Sequence, residues 1–106
     1  MSTKGITTVA TFDRGVTFSD EWVDLVYESL EKTITVVSVD LLLDEEAATM
    51  SVTLGIQCSE GFDTDSLTEV ISRDAIELAI RHANGDDRMD TAAFPIIMPG
   101  MVEQFA

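Results

Sequence analysis

The chain has 106 residues, with 6 Lys or Arg against 20 Asp or Glu, so its formal net charge is −14. This length suits one domain, and a hydrophobic fraction of 45% with a single cysteine argues against intrinsic disorder and a disulfide-stapled scaffold. The negative charge excludes direct binding to nucleic acid or to an anionic membrane as the expected function, because both surfaces would repel it.

The first predicted elements are a strand and an amphipathic helix. Residues 5–12 are rich in β-branched side chains that alternate with a period of two, which is typical of a strand. Thr17 or Ser19 is a suitable N-cap for the helix that follows. Apolar residues at helical spacing predict this helix over about residues 20–32.

A β-hairpin is predicted next. Residues 33–43 and 48–58 both read as strands, and the polar stretch 44–47 between them is a reversal, which together predict an antiparallel pair. In the second of these strands the apolar side chains all fall on one face. We therefore expect one side of the sheet to be covered and the other side to meet solvent or a partner.

A second helix is predicted to begin at Asp63, Asp65 or Ser66 and to run to about Ala83. Its spacing predicts an inner, core-facing stripe on one side of the helix. The residues assigned to this stripe are Leu67, Val70, Ile71, Ala75 and Leu78.

The end of the chain predicts a loop, a short strand and an apolar tail. Residues 86–90 read as the loop, and residues 92–98 as a strand that Pro95 restricts to the edge of a sheet. Pro99-Gly100 is expected to end this strand and to leave 101–106 as the tail.

The element order predicts an α+β fold, a two-layer sandwich in which two helices cover one face of an antiparallel sheet, with ferredoxin-like βαββαβ order. We expect residues 1–91 to form a single α+β domain, and 92–106 to form an apolar edge strand or arm that packs on this domain or on a neighbouring chain. The predicted core consists of Trp22, Val26, Leu30, Met50, Val52, Leu54, Ile56, Leu67, Ile71 and Leu78.

The only candidate catalytic pair is His82 with Asp74. The two lie eight residues apart in the second helix, near one stripe, and a carboxylate beside an imidazole can form a general base. The nearby sequence supplies no nucleophile and no oxyanion donor, so a boundary histidine near the helix C-terminus is the favoured interpretation. An enzymatic function is accordingly not the expected one.

No pattern in the chain indicates a cofactor or metal site. Cys58 has no second cysteine as a partner and is interpreted as a small buried hydrophobe. Residues 63–65 resemble the start of a calcium loop, but Thr68 stands where that loop needs glycine. The acidic clusters 44–46 and 86–87 are explained equally well as solvated turns, and the glycines are scattered singly, without a phosphate-binding loop.

Excess apolar surface is the feature that points to a function. Ile76 and Ile80 lie opposite the predicted inner stripe of the second helix, and the C-terminal segment is too hydrophobic to remain in water. A second chain is the natural cover for both, so we expect a homo-oligomer or a partner protein. The alternative is that Ile76, Ile80 and the tail cover each other within one chain. The predicted interface comprises Ile76, Ile80, Phe94, Ile96, Ile97, Met98, Met101, Val102 and Phe105.

Three functions follow, in order of preference. The first is a non-enzymatic interaction or assembly subunit that self-associates through the second helix and the C-terminal arm. The second is an acidic inhibitor or nucleic-acid mimic that binds a basic partner protein, and the third is a small enzyme or ligand-binding domain with a cleft near His82. Because the chain shows no membrane span and no signal-peptide core, a cytoplasmic location is expected.

Overall fold

The computed structural model contains four strands and two helices. The described residues are 2–13, 17–58, 65–85 and 95–105, with backbone only at positions 2, 58, 104 and 105. The elements are β1 (Ser2–Thr11), α1 (Asp20–Glu31), β2 (Val36–Asp44), β3 (Thr49–Cys58), α2 (Asp65–Asn84) and β4 (Ile96–Phe105).

The strands form one antiparallel sheet in the order β2-β3-β1-β4. One face of this sheet and the two helices share a single hydrophobic core, to which β3 contributes four fully buried side chains, from Met50 to Ile56. The predicted α+β class, with a four-stranded antiparallel sheet and two helices, is confirmed. Along β3 the fully buried apolar side chains alternate with polar or glycine positions of the other face, as its sequence indicates, because a pleated strand turns successive side chains to opposite faces.

Helix α1 forms where the pattern predicts it. The Ser19 hydroxyl accepts a hydrogen bond from the Trp22 backbone N–H, which satisfies one of the free donors of the first turn. Asp20 in that turn also suits the positive end of the helix dipole. The apolar stripe buries Val26 and Leu30 completely, as predicted, whereas Trp22, the third core residue predicted on this helix, is only partly buried against the core.

Helix α2 is rotated relative to the prediction. Ile76 and Ile80 are fully buried in the core, whereas Val70 and Leu78 of the predicted inner stripe are 53% and 63% exposed. The buried stripe is Thr68, Ser72, Ala75, Ile76, Ala79 and Ile80. Four of these six are small or hydroxylic, so a stripe chosen by side-chain hydrophobicity points in the wrong direction. The prediction that Ile76 and Ile80 are surface interface residues is therefore wrong.

Strand β4 does not end at Pro99-Gly100 as predicted. It runs from Ile96 to Phe105 along β1, and Pro99-Gly100 lies at a β-bulge inside the strand. On β4, Pro99 pairs with Thr8 and Val102 pairs with Ile6. Gly100 and Met101 therefore both lie opposite Thr7, which is the two-against-one arrangement of a β-bulge. A Cβ at position 100 would overlap the backbone oxygen of Thr7, which explains why glycine stands there.

Two polar contacts, one buried and one partly buried, join β1 to α2. The hydroxyls of Thr8 and Ser72, both fully buried, lie 2.9 Å apart in a hydrogen bond. At the start of α2, the Lys4 ammonium donates to Asp65 Oδ1 at 3.0 Å, and the Lys4 side chain is only 11% exposed. These contacts fix the helix over the central strand because a buried hydroxyl or ammonium without a partner is costly.

An aromatic cluster ties together three ends of the fold. Phe12, Phe18 and Trp22 have ring centroids 5.3–5.8 Å apart. The Trp22 indole N–H donates to Asn84 Oδ1 at 2.8 Å. The cluster thereby links the end of β1, the beginning of α1 and the end of α2.

Candidate interaction surface

The second face of the sheet, opposite the helices, is here called the open face. No helix packs against it within the described part of the chain. Its residues are Val37, Ser38, Asp40, Leu42 and Asp44 on β2; Thr49, Ser51, Thr53, Gly55 and Gln57 on β3; Thr3, Gly5, Thr7, Val9 and Thr11 on β1; and Ile96, Met98, Met101 and Glu103 on β4.

The centre of the open face carries no charge. The ten residues that β1 and β3 contribute are Thr, Ser, Gly, Val and Gln, in a chain of which 25% is charged. The hydroxyls of Thr7 and Thr53 hydrogen-bond to each other across the strands at 2.9 Å. The acids of this face, Asp40, Asp44 and Glu103, all lie on the edge strands. The centre of the open face is therefore uncharged and rich in hydroxyl groups, and its acids lie at the two edges.

Both edges of the open face expose large apolar side chains. On β4, Ile96, Met98 and Met101 are 68%, 63% and 81% exposed. On β2, at the opposite edge, Leu42 is 72% and Val37 is 53% exposed. These side chains surround the uncharged centre, so the surface is apolar at two edges and hydroxyl-rich between them.

Strand register places Leu42 and Met98 at the two ends of one row across the sheet. Leu42 is in register with Ser51, Ser51 with Val9, and Val9 with Met98. Neighbouring strands lie about 4.8 Å apart, so the two ends of this row are separated by about 14 Å within one chain. This arrangement, here called the Leu42–Met98 row, crosses the middle of the open face.

The predicted interface residues of the C-terminal segment divide between the two sides of β4. Ile96, Met98 and Met101 face outward, whereas Ile97 is buried in the core and Val102 packs partly against it. The prediction is therefore wrong for Ile97 as a surface residue. Phe94 and the side chain of Phe105 lie outside the described part of the structure.

His82 and Asp74 do not form a site together. Both are exposed on α2, and eight residues of helix separate them by about 12 Å, which is too far for a hydrogen bond. A shallow groove of about 260 Å³ lies elsewhere, between α1 and β2, where Tyr27 and Glu31 line it together with residues 36–39. The residues that line this groove include one carboxylate, Glu31, and no histidine.

Two acids of the described hairpin turn accept hydrogen bonds from backbone N–H groups. Asp44 accepts a hydrogen bond from the Ala47 N–H at 3.1 Å, and Glu45 accepts one from the Phe18 N–H at 3.0 Å. Within the described ranges, no three His, Cys, Asp or Glu residues are grouped so that they could hold a metal ion. Residues 63–64 and 86–87, together with the Cys58 side chain, lie outside those ranges.

The outer face of α1 is acidic. Five carboxylates are exposed along this helix: Asp20, Glu21, Asp24, Glu28 and Glu31. Lys32 donates a hydrogen bond to Glu28 Oε1 at 2.7 Å, and this bond, with the charge of the ammonium, lowers the pKa of the Glu28 carboxyl. The helix therefore presents a negative surface on the side of the molecule opposite the open face.

Comparison with models of protein families, with curated proteins and with solved structures gave no match for this chain. No helix among the described residues is long and apolar enough to cross a membrane. The geometry of the chain itself therefore carries the functional argument.

Leu42, Val37 and Val9 of the open face are not part of the interface predicted from the sequence. The alternation of β3 already indicates an uncovered face, but Leu42 belongs to a strand that is apolar on both sides near its turn. The signal that identifies the surface is the absence of charge from the outward positions of β1 and β3. That signal appears only when the register places these two strands side by side at the centre of the sheet.

Proposed function

We propose that this protein is a non-enzymatic interaction or assembly subunit that binds another protein chain through the open face of its sheet. The observation that carries the proposal is the uncharged centre of that face, in a chain of net charge −14. Charged side chains are depleted in the cores of protein interfaces because each would have to be desolvated on binding. The open face replaces α2 as the proposed interface, since Ile76 and Ile80 are buried.

The exposed apolar residues of the two edge strands support the same proposal. Leu42, Met98 and Met101 are each more than 60% exposed. Their burial against a partner would contribute about 25 cal/mol for each Å² removed from water, before the cost of association is subtracted. Association of this kind persists at high salt, because salt strengthens apolar burial and screens the repulsion between acidic chains.

Native size measurement of the tagged full chain, both purified and in extract of the cells that make it, tests this function. We expect a particle larger than a monomer in at least one of the two samples, and Leu42→Asp should reduce it to monomer. Leu78→Asp is the matched control, since Leu78 is similarly exposed but lies on α2. A monomer in both samples, or a complex that Leu42→Asp leaves intact, would refute the proposal.

The acidic face of α1 favours a second candidate function, the binding of a basic partner protein by an acidic inhibitor. Five exposed carboxylates on α1 form a negative patch, which attracts a basic protein surface. Binding led by charge weakens as salt is added. A complex that dissociates in salt and is lost in the Asp24→Asn/Glu31→Gln variant, but survives Leu42→Asp, would favour this candidate.

We also propose that the fold is ferredoxin-like. The order β2-β3-β1-β4, reached by a strand–helix–strand, strand–helix–strand path, supports this classification. The fold by itself says nothing about the function. A cytoplasmic location is likewise proposed, and a chain with one cysteine suits a reducing compartment.

A further inference from the structure

We infer that the partner of the open face is a second copy of this chain, and that the two copies stack face to face so that Leu42 of each covers Met98 of the other. This inference rests on the proposed function and specifies its partner. It follows from the Leu42–Met98 row, from the position of the acids and from the size of the face.

The row makes the open face complementary to itself. A two-fold axis that runs parallel to the strands, between two stacked sheets, exchanges the two edges of the sheet. The β2 edge of one copy then lies over the β4 edge of the other. Because Leu42 and Met98 occupy opposite ends of one row, this axis brings them together twice, once at each edge. Stacked sheets lie about 10 Å apart, a gap that a leucine and a methionine side chain fill from the two sides.

Electrostatics selects this axis over the alternative one. A two-fold axis perpendicular to the strands would place the β2 strand of each copy over the other and collect Asp40 and Asp44 of both copies along one edge. The parallel axis instead places these acids over the β4 edge, where Ile96 and Met101 are exposed. Glu103, the described acid of that edge, is in the row of Ser38, so it lies over Ser38 of the other copy and not directly over Asp40 or Asp44. It thereby avoids the direct opposition of like charges, which weakens association.

The size of the face suits a reversible dimer. Four strands about 4.8 Å apart, with outward residues about 6.7 Å apart along each strand, cover roughly 500 Å² per copy. Two copies would bury about 1,000 Å² in total, which is at the lower limit for a specific interface. We therefore expect dissociation in the micromolar range and a larger dimer fraction at high salt, where repulsion between two acidic chains is screened.

A charge-swap experiment on purified full-length protein tests the inference. Size-exclusion chromatography with light scattering, over a concentration series up to about 1 mM, should show a monomer–dimer equilibrium for the wild type. The single variants Leu42→Lys and Met98→Glu should each raise the Kd at least tenfold, since each buries an unpaired charge. The double variant should recover most of that loss, because Lys at 42 then meets Glu at 98 of the other copy.

Rescue by the double variant is specific to this geometry. Within one chain the two positions lie about 14 Å apart with Ser51 and Val9 between them. An ion pair inside one copy would need both side chains fully extended along the sheet, whereas pairing between copies joins residues that face each other. Leu78→Lys and Val70→Glu, on exposed positions of α2, are the matched controls and should leave the Kd within about twofold. Circular dichroism checks that every variant is folded.

Three results would overturn the inference. The first is a wild type that stays monomeric at about 1 mM, and the second is a dimer that the single variants do not weaken. The third is a pair of single variants that weaken binding without rescue by the double variant, because Leu42 would then not face Met98. A monomeric purified protein that still forms a Leu42-dependent complex in cell extract would overturn only the second copy as partner, and the proposed function would stand.

Discussion

At the scale of single residues, Gly100 shows how closely β4 approaches β1. A methyl group at this position would overlap the backbone oxygen of Thr7, and the bulge would have to shift to admit it. Gly100→Ala should therefore lower the free energy of unfolding by about 1–3 kcal/mol. Urea denaturation of the wild type and the variant measures this difference.

Gly55→Ala is the control for this substitution. A methyl group at position 55 would meet the hydroxyl of Ser38, which is the end of a side chain and can rotate away. Alanine is also favoured over glycine in a strand by about 0.5–1 kcal/mol, so this variant should be close to neutral. If Gly55→Ala costs as much as Gly100→Ala, the backbone contact at Thr7 is not the cause.

The hydrogen bond between Thr8 and Ser72 makes a second residue-level prediction. Thr8→Val keeps the side-chain shape but leaves the buried Ser72 hydroxyl without its partner, at a cost of about 1–3 kcal/mol. The double variant Thr8→Val/Ser72→Ala removes both hydroxyls and should be less destabilised than Thr8→Val alone. Denaturation midpoints of the wild type, Thr8→Val, Ser72→Ala and the double variant complete a double-mutant cycle. Simple additivity of the two single costs would contradict the pairing.

At the scale of elements, the periodicity of the sequence predicts α1 and the hairpin well and α2 only in part. In α1 the residues Trp22, Val26 and Leu30 pack in or against the core, so hydrophobicity and burial agree for them, and Tyr27 is the exception at 39% exposed. In α2 large apolar side chains lie on both sides of the helix. The buried side is the one that contacts β1, where the Thr8 and Ser72 hydroxyls form a hydrogen bond. The pairing of β4 with β1 joins residues that are far apart in the sequence. The local pattern Pro99-Gly100 therefore predicts the end of the strand, whereas the structure has a β-bulge there.

The orientation of α2 predicts that truncation of Ile80 destabilises the fold more than truncation of Leu78, whereas sequence periodicity alone predicts the reverse. Ile80→Ala should cost about 2–5 kcal/mol of unfolding free energy, because Ile80 is fully buried and its loss leaves a cavity. Leu78→Ala should change stability by less than about 0.5 kcal/mol, since Leu78 is 63% exposed. Thermal unfolding of both variants distinguishes the two orientations, and a larger loss for Leu78→Ala would mean that the helix faces the other way.

At the scale of the whole molecule, mutual repulsion among the carboxylates is the main electrostatic property. A net charge of −14 on 106 residues opposes the compact state, and added salt screens this repulsion. The Tm should therefore rise with sodium chloride, and a gain of 1 kcal/mol would correspond to about 4–8 °C for a domain near this size. The scan belongs at low protein concentration, where association does not contribute, and a flat or falling Tm would show that the acids are already compensated by specific contacts.

The aromatic cluster gives this protein a built-in optical probe. Trp22 is the only tryptophan, and its indole contacts Phe12, Phe18 and Asn84 at the junction of β1, α1 and α2. Separation of these ends on unfolding would expose the indole to water and shift its emission to longer wavelength. Fluorescence can be recorded at nanomolar concentration, far below the dissociation constant expected for a face of this size. The folding of one chain can thus be measured while its pairing with another is switched off by dilution alone.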